Sequence, residues 1–269
     1  MPGGGFRDLR SARSRYRSGS GSGAAHKTGN DLCGFWKDRA VTAGTHPAKL
    51  RIRSRFVDES FSHVNDDRYF YEPARGHGLK HDPFNAIVGP RPIGWISSLG
   101  ETGSPNLAPY SFFNAFNYTP PIIGFSSNGA KDTLRNVRET GEFVWNLATR
   151  DIAEAMNVTS ASVPYGTDEF ALSGLTPAPS RVVRPPRVAE SKVNFECKLC
   201  DIVQLRGQDG QSVPAWLVIG EAVAVHIDKS LLQNGIFDTF AAGIVLRAGG
   251  PSAYAEITPS SRFDMKRPA

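Results

Sequence analysis

Long hydrophobic runs are absent from this sequence, although 40% of its 269 residues are hydrophobic. No apolar stretch approaches the ~18 residues that a membrane helix requires. The mean hydropathy of -0.30 is typical of a chain that folds around a globular core. We therefore expect no membrane-spanning segment, no membrane partner and a cytoplasmic location.

Cysteines are scarce as well. The chain has 3, too few for a disulfide framework in a protein of this length. Cys197 and Cys200 have C-x-x-C spacing, but they lie in a run in which apolar and polar residues alternate. Positions three apart in a strand face opposite sides, so these thiols would not share a metal ion. We predict no metal site, and we expect His226, on the polar phase of another strand, to face solvent.

The larger part of the chain also lacks a basic excess. Residues 1–63 hold 12 Lys+Arg and 5 Asp+Glu, whereas the remaining 206 residues hold 19 basic and 21 acidic residues. The net charge of +5 therefore comes entirely from the first quarter of the chain. For the remainder we expect no nucleic-acid partner.

Residues 1–63 differ in composition from the rest and are rich in glycine, serine and arginine. Such a segment buries too little apolar surface to offset the entropy lost on ordering. We predict a flexible, disordered, basic Gly/Ser-rich extension, followed by a folded domain over residues 64–269. An organelle transit peptide, an RNA-binding arm or a translation start placed too far upstream would give a similar composition.

From about Tyr69 onward, short β-rich runs alternate with Gly/Pro turns, and two longer strands follow over 192–205 and 216–227. Residues 206–211 between them indicate a hairpin connection. Residues 132–140 predict a short helix with Asp132 as N-cap and Gly141 as the left-handed residue that ends it. Few periodic stretches occur over 163–186. The pattern predicts a mainly β, antiparallel barrel or sandwich.

One polar cluster coincides with the predicted start of that helix. Ser126, Ser127 and Thr133 contribute hydroxyls, and Lys131 contributes a positive charge. Unpaired N–H groups at a helix start bind anions readily, and hydrogen bonds to a dianion are charge-assisted. The cluster therefore suggests a phosphate site. An ordinary capped helix after a polar loop is the alternative.

A second cluster, about twenty residues earlier, covers residues 105–114. Backbone groups around Ala108 and Ser111 can bond the pyrimidine edge of a flat heterocycle, and Phe112 or Phe113 and Trp95 can contact its faces. A strand with two core aromatics after a polar turn would explain the same residues. Together the clusters indicate a phosphorylated planar cofactor, with FMN the best candidate.

Five segments in matching order resemble the flavin reductase-like family. They cover residues 91–97, 106–114, 131–136, 141–146 and 220–223, and the ending 254–268 is similar too. The resemblance implies an antiparallel split β-barrel of Greek-key type with a few short helices, assembled as a homodimer with FMN near the interface. It implies phosphate contacts from Ser126, Ser127, Lys131 and Thr133. It places the ring against Asn106 to Phe112, with Trp95 and Arg91 nearby.

The resemblance implies a flavoprotein oxidoreductase that uses FMN rather than FAD, with NAD(P)H as co-substrate and an oxygenase or another protein as electron acceptor. We assign no protein acid or base, because the flavin itself carries this chemistry. An FMN-binding electron carrier or sensor without NAD(P)H turnover is the main alternative. A split barrel that binds haem or pyridoxal phosphate is a further one.

Overall fold

The fold is seen in a computed structural model that describes residues 67–268. The predicted extension over 1–63, and its boundary with the domain, lie outside the described residues and stay predictions. Within the described range, no helix has both the length and the apolar character needed to cross a membrane.

Strands dominate the described part of the chain, and the helices are short. The α-helices are α1 (Phe84–Ile87), α2 (Asp132–Thr140), α3 (Ala153–Val158) and α4 (Glu169–Ser173). The strands are β1 (Arg91–Pro92), β2 (Gly94–Leu99), β3 (Pro105–Tyr110), β4 (Phe113–Asn117), β5 (Ile122–Asn128), β6 (Glu142–Asn146), β7 (Pro177–Ala178), β8 (Arg187–Val188), β9 (Val193–Arg206), β10 (Ser212–Ile227), β11 (Leu232–Gln233), β12 (Ile236–Phe237), β13 (Val245–Arg247) and β14 (Tyr254–Glu256).

Seven strands form one antiparallel sheet in the order β3-β2-β6-β9-β10-β5-β4. The edge strands β3 and β4 are consecutive in the chain, and only Ser111 and Phe112 separate them. So short a link forces the two edges to approach each other, because one residue spans at most about 3.6 Å. The sheet therefore curls into a half-barrel, which confirms the predicted mainly β, antiparallel fold with few short helices.

A long hairpin of β9 and β10 forms the centre of this sheet. Its connection falls at residues 207–211, as the sequence predicts, and Gly210 there has a φ of 79° that favours glycine. On β9, Cys197 is buried and Cys200 is exposed. The two thiols therefore lie on different sides of the strand, as expected from their spacing.

Helix α2 packs its apolar face against the sheet. Leu134 and Val137 are fully buried in the same cluster as Ile96, Phe125 and Phe143. The helix ends at Gly141, which has the predicted left-handed conformation with a φ of 69°. The N-cap is Lys131 and not Asp132, so the predicted cap is wrong by one residue. Asp132 is instead the first helical residue.

A second core cluster joins α3 and α4 to strands β2 and β3. Trp95 and Leu107 pack there with Met156 and Phe170. The Asp168 carboxylate caps α4, since its Oδ1 accepts hydrogen bonds from the Phe170 and Ala171 N–H groups at 2.9 and 3.2 Å. Helices α3 and α4 thereby hold residues 159–163 opposite the start of α2, where both line one cavity.

His226 does not face solvent freely, which corrects the prediction made for it. Its Nε2 lies 2.6 Å from Oε1 of Glu196, and only 21% of the His226 side chain is exposed. Glu196 is fully buried and also accepts hydrogen bonds from three backbone N–H groups, those of Arg181, Val182 and Val183. The contact with the buried Glu196 carboxylate on the neighbouring strand therefore keeps His226 partly buried.

Replacement of Gly220 by alanine is expected to destabilise the sheet. A Cβ at this position of β10 would lie 2.5 Å from Cζ of Phe143 and 3.1 Å from the Lys198 carbonyl oxygen. Overpacking of this kind costs about 1–3 kcal/mol of unfolding free energy. Urea denaturation measures the loss. The double variant Gly220→Ala/Phe143→Leu should lose less than the sum of the two single variants, and additive losses would show that this contact is not the cause.

Candidate functional site

Four of the predicted site residues meet in one cavity at the start of α2. This amino-end cavity, of about 250 Å³, is lined by Asn106, Ala108, Pro109, Tyr110, Lys131, Asp132, Thr133, Thr159, Ser160, Ala161, Ser162, Val163 and Glu169. Strand β3 forms one wall, the first turn of α2 the second, and the segment between α3 and α4 the third. The cavity therefore joins the two sequence clusters that were predicted to act together.

The first turn of α2 gives this cavity its anion-binding character. The N–H groups of a helix's first turn have no partner within the helix, and the positive end of the helix dipole lies there. Lys131 adds an exposed ammonium group, and the buried Thr133 adds a hydroxyl. A phosphate in this cavity would find backbone donors, a hydroxyl and a positive charge on the same element.

The side chain of Asn106 holds Thr133 in place. Asn106 Nδ2 donates to Oγ1 of Thr133 at 2.8 Å and to Oγ of Ser98 at 3.4 Å. Asn136 Nδ2 donates to the same Ser98 oxygen at 3.1 Å. Because the Thr133 oxygen accepts from Asn106, its single proton is left to donate to another group. Asn106 therefore supports the phosphate side of the site through Thr133.

Two carboxyl groups oppose the positive charge in the amino-end cavity. Asp132 lies in the first helical turn, and the buried Glu169 binds the Leu107 N–H through Oε2 at 3.0 Å. Burial raises the pKa of Glu169, with further upward contributions from Asp132 and Asp168, although hydrogen bonding by Leu107 works against them. Anion binding must therefore rely on neutral donors as well as on Lys131.

A second cavity, also of about 250 Å³, adjoins the first. Pro109 and Ser160 line both, and this arginine cavity further includes Ile93, Ser111, Met156, Asn157, Arg247, Pro251 and Tyr254. The Arg247 guanidinium group lies 5.1 Å from the centre of the Tyr254 ring. Because they share Pro109 and Ser160, the two cavities are neighbours along residues 106–111, and we refer to them together as the groove.

Arg91, Phe112 and Ser126 line a different, mostly apolar cavity of about 490 Å³. It also includes Val88, Gly89, Pro90, Pro92, Phe113, Asn114, Phe116 and Leu217. The Arg91 guanidinium group bonds the carbonyls of Ser111 at 3.0 Å and Val88 at 2.9 Å and lies 5.5 Å from the Phe112 ring centre. Burial and the charge of Arg247 lower the pKa of Arg91.

Trp95 and Ser127 have no exposed surface and line neither part of the groove. The Trp95 Nε1 donates to Oγ1 of Thr159 at 3.0 Å, so this side chain supports the cavity wall from behind. Ser127 donates to the Gly129 carbonyl at 2.9 Å. The structure therefore does not support the expected ring contact by Trp95 or a direct phosphate contact by Ser127.

Ser126 is separated from the α2 start because β5 extends to Asn128. Ser126 pairs with Leu217 of β10 and Ser127 pairs with Trp216. Successive strand residues face opposite sides, so the two serine side chains point away from each other. Ser126 instead faces the apolar cavity, and its predicted phosphate contact finds no support here.

Sequence reasoning missed two contributors to the groove, Glu169 and Arg247, and included Tyr110 only as a member of the 105–114 cluster. A sequence signal existed for Glu169 alone, because Asp168 before an apolar run and Gly174 after it are a helix start and stop. Among the described residues, no group of three or more His, Cys, Asp or Glu side chains is placed to hold a metal ion.

Residues 89–241 match the family described as flavin reductase like domain. Nitrilotriacetate monooxygenase component B from Bacillus cereus is 32% identical, with a TM-score of 0.64 over 68% of this chain and 90% of that chain. A 2-nitrobenzoate 2-nitroreductase from Pseudomonas fluorescens is 30% identical, with a TM-score of 0.60 over 69% and 88% of the two chains. A candidate flavin reductase with a split barrel domain from Shewanella frigidimarina is 26% identical, with a TM-score of 0.60 over 69% and 89%.

The family match covers more than half of the chain, and it contains both the β3 wall and the α2 start of the groove. The curled seven-stranded sheet corresponds to the split barrel of these proteins. The chain belongs to the flavin reductase-like family and has its split-barrel fold.

Proposed function

We propose that this protein binds FMN and acts as an NAD(P)H-dependent flavin reductase that supplies electrons to an oxygenase or another acceptor. The observation that carries the proposal is the meeting of Asn106, Lys131 and Thr133 at the first turn of α2, beside a groove along residues 106–111. The similarity to a monooxygenase component and to a nitroreductase supports an electron-transferring role.

FMN fits this groove better than FAD does. Two helix starts line the amino-end cavity, that of α2 and that of α4 at Glu169. Only the α2 start has no side-chain cap, because the Asp168 carboxylate already accepts from the first N–H groups of α4. One uncapped helix start and one ammonium group suit a single terminal phosphate, whereas FAD carries two linked phosphates and an adenylate. We therefore assign FMN as the resident cofactor.

The protein's part in the chemistry is to bind and orient. A bound flavin supplies a ring that accepts a hydride and passes electrons onward. Lys131, Thr133 and the α2 N–H groups would hold the phosphate, and the backbone around Ala108 and Ser111 would position the ring in the adjoining cavity. Because the flavin itself carries the redox chemistry, we assign no catalytic side chain.

The functional unit in this proposal is a cytoplasmic homodimer. Beside the apolar cavity, Phe116 and Tyr118 are 57% and 93% exposed. Apolar side chains that project from an edge strand favour contact with a second copy. Such contact would cover Phe112 and Ser126, which line the apolar cavity. Light scattering of the purified full chain tests the dimer.

An absorption spectrum of the purified full chain tests the proposal first. We expect flavin bands in the visible range, either as purified or after incubation with FMN. NADH and NADPH oxidation is then measured with added FMN and FAD. Turnover supports the reductase. A yellow protein without turnover would replace it by an FMN-binding electron carrier, and a haem or pyridoxal phosphate spectrum would reject both.

A further inference from the structure

A buried tyrosine, Tyr110, is among the residues that line the amino-end cavity. Tyr110 is 6% exposed, and its buried hydroxyl lies near those of Thr133 and Ser127 without a well-formed hydrogen bond to any group in the described part of the chain. A buried hydroxyl without a hydrogen bond is destabilising. In native proteins such groups are usually paired with a protein group, an ordered water or a bound molecule.

The ring of Tyr110 gives no reason for the hydroxyl. It packs 4.6 Å from the Phe125 ring, within a cluster that also holds Ile96 and Phe143. A phenylalanine would fill the same space without the cost of the unpaired oxygen. Packing therefore explains the ring of Tyr110 but not its hydroxyl.

The lining of the amino-end cavity indicates what the Tyr110 hydroxyl can bind. The residue lines the amino-end cavity together with Lys131 and Thr133. Burial raises the pKa of Tyr110 to about 12, while the nearby hydroxyls of Thr133 and Ser127 lower it and the charges of Asp132 and Glu169 raise it. The phenol therefore keeps its proton at neutral pH and can donate a hydrogen bond to an anion.

The charge balance of the cavity makes a neutral donor valuable. Lys131 is the single cationic side chain in the described lining, and Asp132 and Glu169 oppose it. Additional hydroxyl donors strengthen anion binding without adding charge, and a hydrogen bond to an ionised group is stronger than one between neutral groups. We propose that the Tyr110 hydroxyl donates a hydrogen bond to the flavin phosphate.

This inference rests on the proposed FMN binding, and Tyr110→Phe tests it separately. The full-length variant and the parent are titrated with FMN and with riboflavin, which lacks the phosphate, and quenching of flavin fluorescence is followed. We expect the Kd for FMN to rise about tenfold or more, from loss of a charge-assisted bond. The Kd for riboflavin should stay the same. Thermal unfolding of the flavin-free variant should occur at the parent's temperature or higher.

Tyr165→Phe is the matched control, because Tyr165 is 49% exposed and does not line the cavity. It should leave both Kd values unchanged. Equal FMN binding by Tyr110→Phe and the parent would overturn the inference while FMN binding itself stood. An equal loss for riboflavin would overturn it too, because the hydroxyl would then act on another part of the flavin. A parent that binds neither flavin would remove both proposals.

Discussion

The double variant Lys131→Ala/Thr133→Ala is expected to lose about 2–4 kcal/mol of FMN binding free energy. That loss raises the Kd roughly 30-fold to 900-fold. The reason is local: Lys131 is the N-cap of α2, and Thr133, in its first turn, keeps a proton free to donate because Asn106 bonds its oxygen at 2.8 Å. Isothermal titration with FMN measures the change directly.

Riboflavin distinguishes a phosphate effect from a general defect. The Kd for riboflavin should change little in the double variant, because both substitutions lie at the phosphate end of the groove and riboflavin has no phosphate. Lys198→Ala/Thr102→Ala, at two exposed positions outside both parts of the groove, is the matched control and should bind FMN like the parent. Retention of parental FMN affinity by Lys131→Ala/Thr133→Ala would show that the phosphate lies elsewhere.

The second large effect concerns stability and not the ligand. Glu196→Ala is expected to lower the free energy of unfolding by about 3–5 kcal/mol, because it removes a buried charge partner. The carboxylate accepts from the N–H groups of Arg181, Val182 and Val183 at 2.8, 2.6 and 3.0 Å, and from His226. Its loss would leave three N–H groups without an acceptor and release residues 181–183 from the sheet.

The same carboxylate predicts a pH dependence. Burial alone would raise the pKa of Glu196, but hydrogen bonds from Arg181, His226, Val182 and Val183 outweigh it and lower the pKa from 4.5 to about 2. A pKa depressed by folding contributes stability that is complete above about pH 4.5 and is lost as the pH falls toward 2. The contribution is about 3 kcal/mol by the size of the shift.

Urea denaturation of the parent and the variant at several pH values tests both statements. The parent should lose stability between pH 5 and pH 2, and Glu196→Ala should lack most of this loss. Glu101→Ala, at an exposed turn position, is the control and should follow the parent. If Glu196→Ala and the parent lost equal stability over this pH range, the carboxylate would not be the titrating group.

Local sequence signals predicted the elements whose ends are marked by glycine or by turn-forming residues. Gly141 marked the end of α2, and the Gly/Asp-rich connector over 207–211 marked the hairpin between β9 and β10. The order of segments pointed to the right family and the right sheet class. The helix end and the hairpin turn depend on the backbone conformation of single residues, and glycine in the sequence marks those positions.

Facing directions in buried strands could not be predicted in the same way. Five of the six residues of β2 are buried, because core lies on both sides of this strand, so alternation gave no guide to Trp95. Ser126 and Ser127 have turn chemistry, yet pairing with β10 keeps both in strand β5. Pairing with β10 outweighs the preference of these serines for a turn, and the two side chains therefore face opposite sides of β5.

The walls of the groove illustrate the same limit. Asn106 and Lys131 were predicted from their own clusters, but Glu169 and Arg247 reach the groove from segments far along the chain. Tyr110 looked like one of several aromatic strand residues. The proposed role of Tyr110 depends on the hydrogen bonding of its hydroxyl, and this can be judged only when the neighbouring donors and acceptors have known positions.

The central claim is that the start of α2 holds the phosphate of a flavin. Parallel titrations of the full-length parent with FMN and riboflavin test it most directly. The account predicts saturable FMN binding, with flavin bands on the protein and a much weaker hold on riboflavin. Equal affinity for the two flavins, or a protein that stays colourless in excess FMN, would contradict it.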